Sequence, residues 1–352
     1  MTTWFTDADC DLDEFRAICE QKTEITDYPH ATDVVDGVLI YPGTLPANRE
    51  IEGELIRALM DGPGIVVFKG AFTSTVVDRA TAVFQSLIDE QKAAGVTGGD
   101  HFAKPGANDR VWGALDKFAL RDPAAFAAYY DNDVLALICR AWLGVGYQVT
   151  SQVNVVNPGG VAQVAHRDYH LGFMSQKQAM RYPAHIHALS PVLTLQGAVA
   201  HVDMPLETGP TLYLPHSQKY PAGYVAYHRP EFTAYFEANH VQLPLAKGDA
   251  AFFNPAVFHG AGTNRSASVR RMANLLQVSS GFGRAMEKVD RPAMLKALYP
   301  VLRAYDGSVD NVIAAAAEGY AFPADLDVDQ PVDGLAPPTQ ADLFREALAR
   351  PR

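Results

Sequence analysis

The sequence predicts a mainly β fold, a β-sandwich or jelly roll carrying helices on its outside. Three observations predict it. Between residues 149 and 279 there are several short apolar or alternating runs, at 149–156, 193–202, 211–214, 250–253 and 272–279, separated by Gly, Pro and Asn signals. The first third is instead rich in segments with helical periodicity, and helical periodicity returns after Gly283. Many short strands flanked by helices suit two packed sheets with the helices outside them.

Taken in order, residues 1–50 form a mixed, acidic lead-in with a turn signal at Tyr41-Pro42-Gly43. Residues 51–60 predict a short helix, stopped by Asp61-Gly62-Pro63-Gly64, and residues 65–68 a brief apolar strand. Thr73 or Ser74 caps a helix over 75–91, with Val76, Val77, Ala80, Val83, Phe84 and Leu87 on one side. Residues 95–112, rich in Gly and charge, read as a long loop. A helix is expected over 123–143, broken by Asp131-Asn132-Asp133. After the strands, helices are expected over 292–305 and 311–320. An acidic, proline-containing linker (323–338) then precedes a last helix begun by Thr339, with Asp342 three residues on as a capping box. The domain expectation is a lead-in (1–50), a jelly-roll domain with N-terminal helices (51–283) and a C-terminal helical extension packed on it (284–352).

Composition narrows the function. With 352 residues, 48% hydrophobic and 20% charged, the chain has the profile of an ordinary globular protein with a large core. A net charge of −11 argues against a nucleic-acid surface, and no run approaches the ~18 apolar residues of a membrane span. No export signal is visible, and Cys10, Cys19 and Cys139 stand far apart without metal spacing, so reduced thiols in a cytoplasmic protein are expected.

The stretch Ala165-His166-Arg167-Asp168-Tyr169-His170-Leu171-Gly172-Phe173 follows the loop-like Asn157-Pro158-Gly159-Gly160. On a strand alternate side chains share a face, so His166 and Asp168 could reach one metal ion. His259 is the best candidate for a third ligand, because two histidines and one carboxylate on one side of an octahedral ion leave three open positions and suit ferrous iron in oxygenases. His201-Val202-Asp203 is a second pair of the same spacing that also precedes His259, and His185-Ile186-His187 is a third possible pair, in an expected insertion loop.

Five segments in order carry a resemblance. They are LMDGPGIVVFKGAFTSTVVDRATAVF, DVLALICRAWLG, NPGG with AHRD, HVDMPLETGPTLYLPHSQ and FHGAGTNRSASVRR. Over roughly residues 55–280 the chain resembles the phytanoyl-CoA dioxygenase family of iron- and 2-oxoglutarate-dependent oxygenases. It departs from the family pattern at His216, where a turn often has Gly, and at Ala261, where a small hydroxyl residue often follows the distal His.

The resemblance implies a double-stranded β-helix, a cupin-like jelly roll, with Fe(II), 2-oxoglutarate and O2 as cofactor and cosubstrates. It implies His166, Asp168 and His259 as ligands, with His201 and Asp203 structural, since their setting matches a strand and turn downstream of the metal motif. The family's cosubstrate anchor is similar to an Arg eleven residues beyond the distal His, which is Arg270. Its neighbour Arg271 must face the opposite way on a strand. Gln152 and Asn154, sharing a strand face, are candidates for the inner carboxylate. The implied reaction is hydroxylation of an unactivated C–H of a small molecule, with release of succinate and CO2. Asp168 favours hydroxylation over halogenation, because related halogenases have a small residue there. Tyr169, His170, Phe173, Met174, Tyr182 and Tyr213 are candidate pocket residues, and Lys104 or Arg110 could meet an anionic group. The alternatives are a cupin-like metal enzyme without a keto acid, such as a ring-cleaving dioxygenase or isomerase, and a non-catalytic small-molecule-binding jelly roll.

Overall fold

A computed structural model describes residues 2–95, 107–321 and 336–351. Among them are β1 (Asp33–Val35), β2 (Val38–Pro42), β3 (Ile65–Lys69), β4 (Asn108–Val111), β5 (Gln148–Val156), β6 (Thr194–Ala200), β7 (Leu212–Leu214), β8 (Val241–Gln242), β9 (Ala250–Phe253), β10 (Phe258–Gly260) and β11 (Arg271–Ser279). The large sheet has the order β1-β2-β3-β9-β6-β11-β5-β4, and β10-β7-β8 form a smaller sheet. Within the large sheet β2–β3 is parallel and the other pairs are antiparallel. Ile40, Val67, Ala251 and Phe253 of the large sheet share a core cluster with Tyr213, Leu243 and Val257 on the small-sheet side. The result is a two-sheet jelly roll.

The two faces of the large sheet do different work because side chains alternate along a strand. Val149, Val153 and Val155 of β5, Leu195 and Val199 of β6, Phe252 of β9 and Leu276 and Val278 of β11 join the main core beneath the helices. The other face, carrying Asn154, Gln196, Ala198, Ala251, Ala273, Leu275 and Gln277, looks into a cavity.

The helices lie where periodicity and caps place them. Helix Arg49–Met60 starts at Asn48, whose side chain accepts from Glu50 N and Ile51 N, and it buries Ile51, Leu55, Ala58 and Leu59 at 3.6-residue spacing. Helix Ser74–Ala93 buries Val77, Ala80, Phe84 and Ile88. The expected break at 131–133 separates Pro123–Tyr130 from Asp133–Leu143. Asn132 caps the second helix through Leu135 N (2.8 Å) and donates to Ala71 O (2.8 Å). Helices Arg291–Leu302, Val309–Ala316 and Gln340–Ala349 contribute Met294, Leu298, Ile313 and Phe344 to the main core, and the Thr339–Asp342 capping box is present.

Four expectations about local structure are corrected. The region read as a loop over 95–112 contains β4, a polar strand that exists because it pairs with the edge of β5 (Arg110 opposite Asn154). His185 and His187 sit in helix Ala184–Val192 rather than in a loop. Strands β1, β2, β8 and β10 appear where no strand was expected. His166 does not belong to an extended strand: among the described residues it forms an isolated antiparallel bridge to His259. Lys104 and the bulk of the expected linker lie outside the described residues.

Candidate metal centre

The main chain brings the two histidines together. His166 N donates to His259 O (3.0 Å), and His259 N donates to His166 O (3.1 Å). Asp168 is held next to them by its own amide, which donates to Pro255 O (3.0 Å). Each imidazole is turned the same way: His166 Nδ1 lies 2.9 Å from Val164 O, and His259 Nδ1 lies 2.9 Å from Val257 O. A carbonyl accepts only from N–H, so both rings carry the proton on Nδ1 and present the Nε2 lone pair to the cavity. Asp168 Oδ1 is 3.8 Å from His166 Nε2, and Oδ2 is 3.5 Å from His259 Nε2. The ligand atoms of all three residues lie within 4.8 Å of one another. Donors about 2.1 Å from a common ion stand roughly 3–3.5 Å apart, so a small inward adjustment closes the site.

The protonation states fit as well. Burial, followed by repulsion from His259, lowers the pKa of His166 and keeps the ring neutral. Burial alone would raise that of Asp168, but the two histidines, wherever no ion has displaced a proton from Nε2, and the Gln196 amide hold the carboxyl well below its usual range. Gln196 Nε2 donates directly to Asp168 Oδ2 and so orients the carboxylate from outside the ligand set. Two imidazoles that turn Nε2 inward and one carboxylate, on one side of a site open to a cavity, form the donor set of ferrous oxygenases.

Arg167, between the two ligands in sequence, points the other way. It is fully buried, donates to Ser217 O (2.6 Å) and Tyr220 O (3.1 Å), and packs against Gly223, where a Cβ would collide with its guanidinium. It fixes the ligand loop to the small-sheet side of the molecule.

The cavity has a volume of about 900 Å³ and is lined by residues of both sheets. It contains His166, Asp168 and His259 together with Arg271, not Arg270. The expectation for the arginine pair is thus corrected. Arg270 is exposed on the helical side of the sheet, held by Asp109 (2.9 Å), Asn157 (3.2 Å) and Gln85 (3.3 Å). Arg271 opens β11 on the cavity side and is only 7% exposed. Its guanidinium donates to Thr208 O (3.3 Å) and Gly262 O (3.4 Å), and burial pushes its pKa down to about 10.

The other expected residues divide. Asn154, Phe173, Met174, Tyr213 and Arg110 line the cavity, with the Arg110 guanidinium 4.3 Å over the Trp112 ring and bonded to Gln152 Oε1. Gln152 is buried beside them and donates to Glu287 (3.2 Å) but does not line the cavity. Tyr169 and His170 do not line it either. Both adopt positive φ (64° and 42°), Tyr169 is buried, and His170 Nδ1 sits 3.3 Å from Ser190 Oγ. Tyr182 does not line the cavity but a smaller neighbouring pocket, which shares Met174 with it.

His201 is buried in the main core, with Tyr129 OH at 3.0 Å from Nε2 and Thr81 Oγ1 at 2.8 Å from Nδ1, while Asp203 accepts from Lys247 N (2.8 Å). His216 adopts φ 68°, a backbone region in which Gly is at ease, and this accounts for the departure noted above. Among the cavity residues not singled out from the sequence are Gln196 and Gln277 of the large sheet. Polar residues alternating with apolar ones read as a solvent face unless a second sheet is known to cover them.

The family model described as "Phytanoyl-CoA dioxygenase (PhyH)" matches residues 60–272. Among curated proteins, "Dioxygenase trt7" of Aspergillus terreus is 26% identical over 222 residues, which are 60% of this chain and 68% of that protein. Among solved structures, the epimerase SnoN in complex with Fe3+, alpha ketoglutarate and nogalamycin RO is 17% identical, with a TM-score of 0.44 over 66% of this chain and 85% of that one. HygX from Streptomyces hygroscopicus with nickel and 2-oxoglutarate bound is 14% identical, with a TM-score of 0.44 over 70% and 92%. At this level of likeness neither structure bears on the reaction.

Proposed function

The chain belongs to the phytanoyl-CoA dioxygenase family of iron- and 2-oxoglutarate-dependent oxygenases, and from that membership we propose that it hydroxylates an unactivated C–H of a small molecule at the His166–Asp168–His259 centre. The observation that carries the reading is the convergence of these three side chains on one cavity that also holds the buried guanidinium of Arg271.

The bound metal, with 2-oxoglutarate and O2, supplies the oxidative decarboxylation to succinate and CO2 and the oxidising power that breaks the C–H bond. The chain's own residues do the rest. His166 and His259 would offer Nε2 to the ion because Val164 O and Val257 O hold the Nδ1 side of each ring. Gln196 donates to Asp168 and would keep the carboxylate turned toward a bound ion. Arg271 takes the distal carboxylate of 2-oxoglutarate: its planar fork matches that group, and no Asp or Glu pairs with it among the described residues. Asn154 reaches the same space from β5. The apolar walls, with Val67, Leu243, Ala251 and Phe253, exclude water from the reacting carbon.

The test is direct. Anaerobic addition of Fe(II) and 2-oxoglutarate should give a weak visible charge-transfer band. Aerobic turnover with substrate should release one succinate per product gaining one oxygen atom, as read by mass spectrometry. A colourless mixture and no 2-oxoglutarate-dependent succinate would sink the reading. Products formed without a gain of oxygen would keep the cofactors and overturn hydroxylation.

A further inference from the structure

The amide oxygens of two glutamines on the cavity floor are unaccounted for by the chemistry above. Gln196 of β6 and Gln277 of β11 are directly opposite each other in the antiparallel ladder. Their side chains leave the sheet on the same face, with Cβ atoms about 5 Å apart. Both line the cavity, at 6% and 7% exposure, and in both the Oε1 atom is buried without a hydrogen-bond partner. The orientation of Gln196 is not arbitrary. Its amide nitrogen donates to Asp168 Oδ2, which turns the amide oxygen away from the carboxylate.

A buried acceptor with no donor costs about 1–3 kcal/mol, and two side by side next to a catalytic centre are a feature the fold gains nothing from unless something donates to them. The surrounding walls are apolar, including Val67, Leu243, Ala251, Phe253 and Leu275, and 900 Å³ is room for a drug-sized molecule.

We propose that Gln196 and Gln277 are the specificity-determining pair of this enzyme, and that the substrate is an apolar molecule carrying a hydrogen-bond donor, an alcohol O–H or amine N–H, which the two amide oxygens hold close to the metal. This rests on the oxygenase reading and adds to it the class of substrate. A bare carboxylate or phosphate offers only acceptors at neutral pH and is repelled by the same pair. Because Gln196 also holds Asp168, the bound donor stands one side chain away from a metal ligand, so its position fixes which neighbouring carbon meets the ion.

The experiment uses the protein loaded anaerobically with Fe(II) and 2-oxoglutarate, with binding followed through the fluorescence of Trp112 at the cavity wall. The probes are decahydro-2-naphthol, decahydro-2-naphthylamine, 2-decalone and decahydro-2-naphthoate, which share a skeleton and differ in donor capacity. The alcohol or the amine should bind at least tenfold more tightly than the ketone and the carboxylate, and which of the two is preferred identifies the donor. Gln277→Leu should reduce that preference to threefold or less. Equal binding of donor and ketone probes by the unaltered protein, tighter binding of the carboxylate, or no binding of either donor probe overturns the proposal without recourse to a variant. So does a preference undiminished in folded Gln277→Leu. The charge-transfer band is recorded in the same samples. If it forms and the preference is absent, the substrate class is wrong; if it never forms, the oxygenase reading itself has failed.

Discussion

Replacing each of the two adjacent arginines separates the cosubstrate anchor from its neighbour. Arg271 is buried at the cavity wall, and its guanidinium donates to two carbonyls at 3.3 and 3.4 Å, distances long for charge-assisted bonds. A cation in that setting keeps most of its capacity for an anion. Truncating one partner of a buried, hydrogen-bonded charge pair costs about 3–4 kcal/mol, or roughly 10²–10³ in affinity. Arg271→Ala should therefore raise the KM for 2-oxoglutarate by that factor, with the same loss in the anaerobic titration of the visible band. Arg270 spends its guanidinium outside, on Asp109, Asn157 and Gln85, and Arg270→Ala should change the KM less than twofold. Arg271→Met, which keeps much of the volume and removes the desolvated charge, should lose 2-oxoglutarate as fully while holding or raising the melting temperature. The reasoning is refuted if Arg271→Ala and Arg271→Met keep the wild-type KM while Arg270→Ala loses it.

Three further outcomes follow from the geometry. Gln196→Leu leaves Asp168 without its amide donor and should weaken Fe(II) binding about 10–100-fold by competition with a chelating dye, whereas His259→Ala should abolish stoichiometric binding. His201 is buried neutral, with its pKa lowered by desolvation to about 3, so the unfolded chain takes up a proton before the folded one does. Its contribution to stability is complete above the ordinary histidine pKa of about 6.5 and is lost as the pH falls from there toward 3; His201→Gln should flatten the melting temperature over that window, and an unchanged slope would remove His201 as the cause. Gly197→Ala would drive a Cβ to 2.5 Å from the Phe252 ring in the middle of the large sheet, and should lower stability by about 1–3 kcal/mol in urea unfolding.

Much of the centre was legible in the chain because spacing and chemistry coincide at His166, Asp168 and His259. The reason given by the spacing was only partly right. His166 and Asp168 share a side not as alternate residues of a strand but because a bridge to His259 and a hydrogen bond from the Asp168 amide to Pro255 O hold the loop between them. The arginine pair shows where periodicity stops. Alternation says that Arg270 and Arg271 face opposite ways, but which one faces inward depends on where β11 begins. That start is set by Asn264, whose side chain donates to Val156 O and Val269 O and holds the approach to the strand. Strand β4 was illegible for a related reason: Asn108-Asp109-Arg110-Val111 has no strand propensity to speak of and is extended only because β5 offers an edge. The glutamines at 196 and 277 escaped notice because an alternation that normally marks contact with solvent here marks contact with an enclosed space.

The reciprocal pair of backbone hydrogen bonds between His166 and His259 carries a liability. Since main-chain geometry sets the spacing of the two rings, the nest is ready before any ion arrives, and it does not ask which ion arrives. Nickel, cobalt, manganese and zinc should all settle there without disturbing the fold, and the tighter-binding of them should displace iron wherever they are plentiful. An organism that relies on this protein must therefore secure the right occupant through supply, because the polypeptide itself will not turn the wrong one away.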